Sequence, residues 1–375
     1  MLKEIIVREI KSKGPITFAR FMEMALYYPG LGYYTRPGIT TGPAGDFYTS
    51  PDVHPAFGQA LARLFVKMWE ALGRPERWAL VEYGAGTGRL ARHVLDFLQA
   101  DQPQAASGLV YWIIEISPYL ISLQKEEIAG LGLPPERVVW AKNPEELPEK
   151  NTGCIFSNEL VDSFPVHRVR QPEKGCLKEI YVNFRNDFFE EEGPLSTPLL
   201  SSYFATEDVS LEPGQAAEVN LAARDWLQRA AGILDRGFLL TIDYGGTAPE
   251  IYSPSRPEGT LRCFFRHRLT ASPYKNIGRQ DITASVNFSS LVRWGKEFGL
   301  TSLGLFTQAR FLIGLGILEL IKRPAEDYLF DEKKTKEILA IKKLLHPEGM
   351  GEVFRVLLQG KGCPVLSAAS LLRTF

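Results

Sequence analysis

The chain has 375 residues, of which 45% are hydrophobic and 23% are charged, with 43 lysine and arginine residues against 44 aspartate and glutamate residues. These fractions are typical of a folded globular protein and exclude a disordered chain or a fibrous repeat. A net charge of -1 gives no overall field that would attract nucleic acid, and no segment has the roughly 18 uninterrupted apolar residues of a membrane span.

The cysteines and the N-terminus indicate the compartment. The four cysteines, at positions 154, 176, 263 and 363, include no C-x-x-C redox or zinc pair, and the five histidines show no metal-ligand spacing. The N-terminus lacks the apolar run of a secretory signal. We therefore expect a cytoplasmic protein with reduced thiols, without a metal and without membrane insertion.

Helical patterns dominate the N-terminal region. Apolar residues at helical spacing predict helices near residues 2–10, at Thr17–Tyr27 with a cap at its first residue, and at 57–72. The last two are joined by a loop, Gly30–Pro55, that is rich in glycine, proline and threonine. Loops of this length that stay ordered are often functional.

From residue 78 onward, short apolar segments alternate with helix-like stretches. Strands are predicted at Trp78–Tyr83, Leu109–Ile116, Arg137–Ala141, Gly153–Phe156, Gly237–Tyr244, Thr301–Thr307 and Val353–Gln359, and helices at Glu218–Ala231 and after a cap at Asn287. Such alternation favours a parallel sheet covered on both faces. Seven strands ending in an antiparallel pair are typical of the class I methyltransferase variant of the doubly wound, Rossmann-like α/β sheet. We expect this domain at residues 76–375, with insertions at 165–214 and 309–345, after an N-terminal helical region at 1–75.

The segment 80–90, LVEYGAGTGRL, joins an apolar strand to a G-x-G-x-G turn and a following helix. Glycines allow a tight turn and a close approach of a ligand to the backbone, and a helix N-terminus presents free N–H groups. Arg89 replaces the third glycine of the dinucleotide fingerprint, which disfavours a dinucleotide-dependent oxidoreductase, and the pattern of a P-loop does not occur. The candidate binding residues are Glu82, Gly84, Ala85, Gly86 and Gly88. A tight turn without a ligand is the alternative.

An acid closes the next predicted strand. Glu115 ends the apolar segment YWIIEI, and a carboxylate at that place can accept both hydroxyls of a ribose. It lies 31 residues after Gly84, farther than the roughly 20 residues of the dinucleotide fingerprint. A glycine turn with a strand-end acid is typical of the S-adenosylmethionine site of class I methyltransferases, which makes Glu115 and Ile116 candidate binding residues. A solvated strand-end acid is the alternative.

A third group of polar residues lies where the fourth strand meets its loop. Asn158, Glu159 and Asp162 follow an apolar segment, and two acids there could hold a guanidinium by charge-assisted hydrogen bonds. The alternative is a helix N-terminus capped by Ser157 or Asn158. The Asn/Asp-Pro-Pro-Tyr motif of amino-group methylases of DNA does not occur here, which disfavours a nucleic-acid methylase. His267, between two arginines, is a second candidate base, with a surface histidine as the alternative.

Taken together, these motifs resemble the MidA-like methyltransferases, whose mitochondrial members assist the assembly of respiratory complex I. The blocks that carry the resemblance are GDFYTSPD at 45–52 with Phe57-Gly58, the glycine turn, Glu115, NELVD at 158–162, IDYG at 242–245, GTLR at 259–262 with Arg266-His267, DITASVNF at 281–288 and TQARFL at 307–312. They keep the family's order and cover almost the whole chain. A small departure is Asp52, where the family more commonly has glutamate.

The resemblance implies a protein methyltransferase with S-adenosyl-L-methionine as its cofactor. For the mitochondrial relatives it implies symmetric dimethylation of an arginine in a complex I subunit, so the expected partner is a protein substrate, with such a subunit as a candidate. It also implies that the loop 45–51 covers the cofactor, which adds Gly45, Asp46, Phe47 and Thr49 to the candidate binding residues. An Asx turn is the alternative for Asp46. The oligomeric state is left open, a homodimer included.

In methyl transfer the protein supplies alignment and a dry, complementary site. A guanidinium acceptor is protonated, so nearby carboxylates would orient one nitrogen and remove a proton. Glu159 is the first choice for this role, before Asp162, with Asn158 and His267 as further catalytic candidates. Two other functions stay open: a non-catalytic SAM-binding assembly factor for a respiratory complex, and a methyltransferase for another protein or a small-molecule acceptor.

Overall fold

Strands and helices alternate through most of the chain. The computed structural model describes residues 1–38, 50–266, 268–270, 272–320 and 332–363. Its strands are β1 (Ile16–Thr17), β2 (Trp78–Tyr83), β3 (Leu109–Ile114), β4 (Val138–Ala141), β5 (Asn151–Asn158), β6 (His167–Arg170), β7 (Lys178–Phe184), β8 (Phe188–Gly193), β9 (Ala216–Val219), β10 (Leu234–Gly246), β11 (Arg262–Phe265), β12 (Arg268–Thr270), β13 (Asp281–Thr283), β14 (Val286–Asn287), β15 (Thr301–Thr307) and β16 (Phe354–Lys361). Its helices are α1 (Leu2–Lys13), α2 (Phe18–Tyr27), α3 (Ser50–Val53), α4 (Ala56–Ala71), α5 (Arg89–Asp101), α6 (Pro103–Ser107), α7 (Pro118–Ala129), α8 (Pro198–Thr206), α9 (Leu221–Ile233), α10 (Ala248–Ile251), α11 (Phe288–Glu297), α12 (Gln308–Gly314) and α13 (Glu332–Leu345). None of the described helices combines the length and the apolarity that crossing a lipid bilayer requires.

The central sheet confirms the predicted fold class. Its main path runs β15-β16-β10-β5-β2-β3-β4. The strands from β10 to β4 pair in parallel, whereas β16 runs antiparallel to both β10 and β15. This is the predicted class I methyltransferase arrangement, with its final antiparallel pair. The apolar runs predicted it well because strands buried on both faces need no polar alternation, and all six residues of β2 are buried.

Helices cover both faces of this sheet. On one face α4 and α5 contribute to a core in which the ring centroids of Phe65 and Phe156 lie 5.0 Å apart. On the other face α9 and α11 bury Trp226 and Trp294 in a second core that includes Leu239 of β10. Because both faces are covered, the open approach to the sheet lies at the ends of its strands, where parallel α/β sheets bind their ligands.

The N-terminal region shares a second sheet with later strands. Its path is β1-β7-β6-β9, with β8 paired to β7, and Ile16 of β1 pairs with Val182 of β7. Helix α2 begins after Thr17, whose side chain accepts the N–H of Arg20, as the capping pattern predicts. Strands β6, β7 and β8 lie within the segment 165–214. The division of the chain at residue 75 stays a prediction.

One helix begins later than predicted. The sequence favoured a helix over Glu218–Ala231, but its first residues belong to β9, which pairs with β6, and Asn220 then caps α9. The reason is a tertiary contact, because the buried carboxylate of Glu218 accepts the N–H of Thr260 at 2.6 Å and lies beside Arg168 of β6. Helical spacing carries no information about such partners, which decide whether a segment becomes a strand.

Candidate active site

A cavity of about 560 Å³ opens at the carboxyl ends of the parallel strands. It is lined by the turn after β2, by residues that follow β3, β4 and β5, and by the side of α2. Its charged lining residues are the acids Glu23, Asp52, Glu82, Glu115, Glu159, Asp162 and Asp281 and the cations Arg89, Lys142 and Arg229. Arg89 forms an ion pair with Asp52 at 2.6 Å. Since acids outnumber cations in the described lining, the cavity favours a cationic occupant.

The turn after β2 holds three glycines with a positive φ. Gly84, Gly86 and Gly88 have φ values of 67°, 54° and 88°, a region that costs other residues about 1–2 kcal/mol. A Cβ on Gly88 would lie 2.9 Å from the Cα of Gln124 on α7, whereas a Cβ on Gly86 would meet nothing within 4 Å. Gly88 therefore allows α7 to pack against the turn, and Gly86 leaves the backbone open to the cavity.

Glu115 follows β3 directly and lines the cavity. Its carboxylate is buried; Oε1 accepts the N–H of Ser117 at 2.9 Å, and Oε2 accepts the side-chain amide of Gln124 at 3.1 Å. Burial raises the pKa of Glu115 to about 7. The backbone N–H of Ile116 is a further donor to this carboxylate. Since a carboxylate has about four lone-pair positions, it can still accept from a ligand. The arrangement suits a vicinal diol such as a ribose.

A second buried carboxylate, that of Glu82, lies one residue before the end of β2. Oε2 of Glu82 accepts the hydroxyl of Tyr111 at 2.6 Å, a contact made possible because β2 and β3 are adjacent. Burial raises the pKa of Glu82 to about 7. Glu82 and Glu115 both line the cavity and interact electrostatically, and a bound positive charge would stabilise their ionised forms.

Glu159 directly follows β5 and has a strained backbone. Its φ is 54°, a left-handed value that few residues with a side chain adopt and that is concentrated at functional sites. Its Oε1 accepts the N–H of Ser50 at 3.0 Å and the amide of Asn158 at 3.1 Å. Burial raises the pKa of Glu159 to about 8. The alternative of a helix cap from Ser157 or Asn158 is wrong, since the side-chain oxygens of both residues accept no hydrogen bond within the described part of the chain.

Asp243 and Asp162 have different surroundings. Asp243 on β10 is fully buried, and its Oδ2 accepts the three backbone N–H groups of residues 160–162. It therefore fixes the loop after β5 and is a structural residue. Asp162 lines the cavity, and burial together with the charges of Asp243, Asp281 and Glu159 raises its pKa well above the usual value. Asp162 is thus the acid of this pair that a ligand can reach.

Tyr27, Tyr34 and Asp281 are among the cavity-lining residues that the sequence did not indicate as site residues. The hydroxyl of Tyr34 donates to Oδ1 of Asp281 at 2.7 Å, and that of Tyr27 donates to the carbonyl of Ser163 at 3.0 Å. The two tyrosine rings stack with centroids 5.6 Å apart. Asp281 is the first residue of the sequence block DITASVNF at 281–288, and this block was the feature of the sequence that could have indicated it. Nothing in the spacing of Tyr27 and Tyr34 indicated that their hydroxyls would reach this end of the cavity.

The structure brings most of the predicted site residues to one cavity. Those that line it are Glu82, Gly84, Ala85, Gly86, Glu115, Ile116, Asn158, Glu159 and Asp162. Gly88 lies at the N-terminus of α5, against α7. The remaining candidates, Gly45, Asp46, Phe47, Thr49 and His267, lie outside the described residues. The individual roles of all these residues stay predictions.

The residues at this cavity fit S-adenosyl-L-methionine. The open backbone at Gly86 allows close approach to the turn, the free lone pairs of Glu115 suit the ribose hydroxyls, and the excess of acids suits a sulfonium. Oδ1 of Asn158 is buried and has no hydrogen-bond partner among the described residues. A donor from a ligand would satisfy this acceptor, and buried acceptors are rarely left unpaired.

Known proteins resemble this chain in sequence and in fold. Residues 60–306 match the family model of S-adenosyl-L-methionine-dependent methyltransferases. The proteins named protein arginine methyltransferase NDUFAF7, mitochondrial, from Mus musculus and Homo sapiens are 28% and 27% identical to this chain, over 94% of its length and 83% and 82% of theirs. A crystal structure of a protein from Burkholderia thailandensis bound to S-adenosylhomocysteine is similar with a TM-score of 0.87 and 32% identity, covering 99% of this chain and 94% of that one. Because the family model matches more than half of this chain, the chain belongs to the family of S-adenosyl-L-methionine-dependent methyltransferases.

Proposed function

We propose that this chain transfers a methyl group from S-adenosylmethionine to a guanidino nitrogen of an arginine in a partner protein. The observation that supports this most is the acidic end of the cavity, where Glu159 and Asp281 both lie within electrostatic reach of Asp162. The names of the curated relatives, which are protein arginine methyltransferases, point to the same acceptor.

The acid cluster favours a cation of a particular shape. A guanidinium is planar, carries one positive charge and presents five N–H donors that match carboxylate oxygens. Burial raises the pKa of Glu159 to about 8, and burial with repulsion between the acids raises that of Asp162 well above its usual value. A cation placed among these groups lowers their pKa values again. A neutral acceptor would not offset the repulsion between them.

The acids have separate tasks in this proposal. S-adenosylmethionine, when bound, supplies a methyl group on a sulfonium, which is already a strong leaving group. The chain then has to align one nitrogen, exclude water and take a proton. Glu159 suits the role of proton acceptor because its pKa lies near neutral pH. Asp162 and Asp281 hold the guanidinium, and the hydroxyl of Tyr34 orients Asp281.

The candidate for the acceptor protein comes from the family resemblance of the sequence and not from the geometry of the cavity. The resemblance to mitochondrial assembly factors makes a subunit of respiratory complex I the first candidate. The sequence further predicts a cytoplasmic location, which stays part of the proposal.

Mass spectrometry of methylated peptides tests the proposed acceptor. The purified chain and isotopically labelled S-adenosylmethionine are added to a lysate of cells whose gene for this chain is deleted. The variants Glu159→Gln and Glu149→Gln are assayed in the same way. Glu149→Gln is the matched control, since Glu149 is exposed and does not line the cavity. Labelled methyl groups on arginine from the unchanged chain and from Glu149→Gln, but not from Glu159→Gln, support the proposal. Label on lysine, on a carboxyl group or on a small molecule overturns it.

A further inference from the structure

Gln124 on α7 connects two parts of the cofactor site. The side chain is fully buried. Its amide nitrogen Nε2 donates to the carbonyl of Gly86 at 2.9 Å and to Oε2 of Glu115 at 3.1 Å. Its oxygen Oε1 accepts the indole N–H of Trp140 on β4 at 3.0 Å. One amide group therefore joins the glycine turn, the acid after β3 and the neighbouring strand.

The orientation of this amide follows from its partners. The indole N–H of Trp140 is only a donor, whereas the Gly86 carbonyl and the Glu115 carboxylate are only acceptors when the acid is ionised. A flipped amide would direct its NH₂ group at the indole N–H and its oxygen at the two acceptors. All three contacts would then be repulsive, so a single orientation is compatible with the site.

The backbone of Gln124 is also held in place. A Cβ on Gly88 would lie 2.9 Å from the Cα of Gln124, so α7 packs directly on the glycine turn. The side chain is fully buried and has little space to leave its partners, since packed cores contain few voids. A group that is fixed in this way can transmit its own position to the groups it contacts.

We propose that Gln124 is a positioning residue for the cofactor: it orients the Glu115 carboxylate toward the ribose and holds the glycine turn through the carbonyl of Gly86. It acts through these two groups and not by direct contact. With Ser117 donating to Oε1 and Gln124 donating to Oε2, both oxygens of Glu115 are fixed, and the carboxylate can still accept from a ribose.

The variant Gln124→Met tests this role because methionine keeps the length and volume of the side chain but removes the amide. We expect the Kd of S-adenosylhomocysteine, measured by titration calorimetry on the full chain, to rise about tenfold to a hundredfold, the range of a hydrogen bond to a charged group. Gln99→Met is the matched control, since Gln99 lies on the exposed side of α5. It should leave the Kd unchanged.

The pH dependence of binding separates positioning from a general loss of packing. Burial raises the pKa of Glu115 to about 7, and the Gln124 amide opposes this by donating to the ionised form. Without that donor the pKa rises further, so S-adenosylhomocysteine should begin to bind only at a higher pH. Glu82 on β2 and Tyr27 on α2 interact electrostatically with Glu115, and Lys142 after β4 lines the same cavity. The variant keeps all three groups.

A second variant covers the case in which Gln124→Met does not fold. Trp140→Phe removes the N–H that fixes the amide and retains an aromatic ring on β4. It should raise the Kd about threefold to tenfold, as for one neutral hydrogen bond, and move the pH profile in the same direction. An unchanged Kd and pH profile in a folded Gln124→Met, or in Trp140→Phe where the first variant fails to fold, overturns the proposal.

Discussion

The backbone N–H of Ser50 donates to Oε1 of Glu159 at 3.0 Å, across 109 residues of sequence. Ser50 is fully buried, and its hydroxyl donates to Oε1 of Gln308, the first residue of α12, at 3.3 Å. Glu159 itself has a left-handed φ of 54°. Three distant chain segments therefore fix the position of this carboxylate, and the strain of its backbone is maintained by their contacts.

Replacing Glu159 should separate methyl transfer from cofactor binding. In Glu159→Gln the amide oxygen can still accept the N–H of Ser50, but the side chain no longer takes a proton. We expect kcat to fall by about two to four orders of magnitude, the usual contribution of a general base, with the Kd of S-adenosylhomocysteine within about twofold. Initial-rate kinetics and calorimetry on the same preparation measure both. A variant that turns over at the original rate would remove Glu159 from the mechanism.

The buried acids make the stability of the ligand-free chain depend on pH. Burial raises the pKa of Glu159 from 4.5 to about 8 and that of Glu82 to about 7. Between the unfolded pKa of Glu159, 4.5, and its folded pKa of about 8, the folded state binds more protons than the unfolded state. The stabilisation from these acids is therefore fully present below about pH 4.5 and is lost as the pH rises through about 8. The melting temperature should therefore fall over this range.

The same variant, Glu159→Gln, tests the origin of that fall. It should melt close to the unchanged chain at pH 5 and a few degrees above it at pH 8.5, because the buried amide does not ionise. Differential scanning calorimetry without ligand measures the difference. If the melting temperatures of the unchanged chain and of Glu159→Gln differed by the same amount at every pH, the Glu159 carboxyl would not titrate as described.

Two glycines in the turn should respond differently to alanine. Gly86→Ala meets open space, so the chain should fold with a stability loss of about 1–2 kcal/mol from its positive φ, but the new methyl group occupies space at the cofactor. Gly88→Ala would press on the Cα of Gln124 at 2.9 Å and should lose both stability and binding. Thermal melts and S-adenosylhomocysteine titrations distinguish the two. If the two variants lost the same stability and the same cofactor affinity, the conclusion that Gly86 faces the cofactor and Gly88 faces α7 would be wrong.

Tyr34 should affect the acceptor and not the cofactor. Tyr34→Phe removes the hydroxyl that donates to Asp281 at 2.7 Å. We expect the KM for an arginine-containing acceptor to rise about tenfold, with the Kd of S-adenosylhomocysteine unchanged. Tyr28→Phe is the control, since Tyr28 lies outside the cavity lining. A change in cofactor affinity without a change in acceptor KM would place Tyr34 at the wrong end of the cavity.

The strands and caps could be predicted from the sequence because their causes are local. The bounds of β2 and β15 agree with the predicted ones, and Asn287 caps α11 as its position indicates. Buried parallel strands leave continuous apolar runs, and caps leave a polar residue just before a helix. The gathering of Glu159 and Asp162 near Glu115 followed from one rule, that parallel strands end at the same edge of a sheet.

The rest of the site depends on contacts that no local pattern records. Tyr34 and Asp281 are 247 residues apart, and Gln124 reaches Gly86 across 38 residues. Gln124 sits in a helix with ordinary spacing, and nothing in the sequence tells its buried amide from an exposed one. The late start of α9 has the same origin, since Glu218 pairs with Arg168 of the distant strand β6 and is therefore part of β9.

The position of the cofactor is best tested by a crystal structure of the chain with S-adenosylhomocysteine. We expect both ribose hydroxyls to contact Glu115, the ligand to pass over Gly86, and its sulfur to face the carboxylates of Glu159 and Asp162. A nucleoside bound elsewhere, or a sulfur that points away from these two acids, would contradict both the cofactor site and the acceptor site described for this cavity.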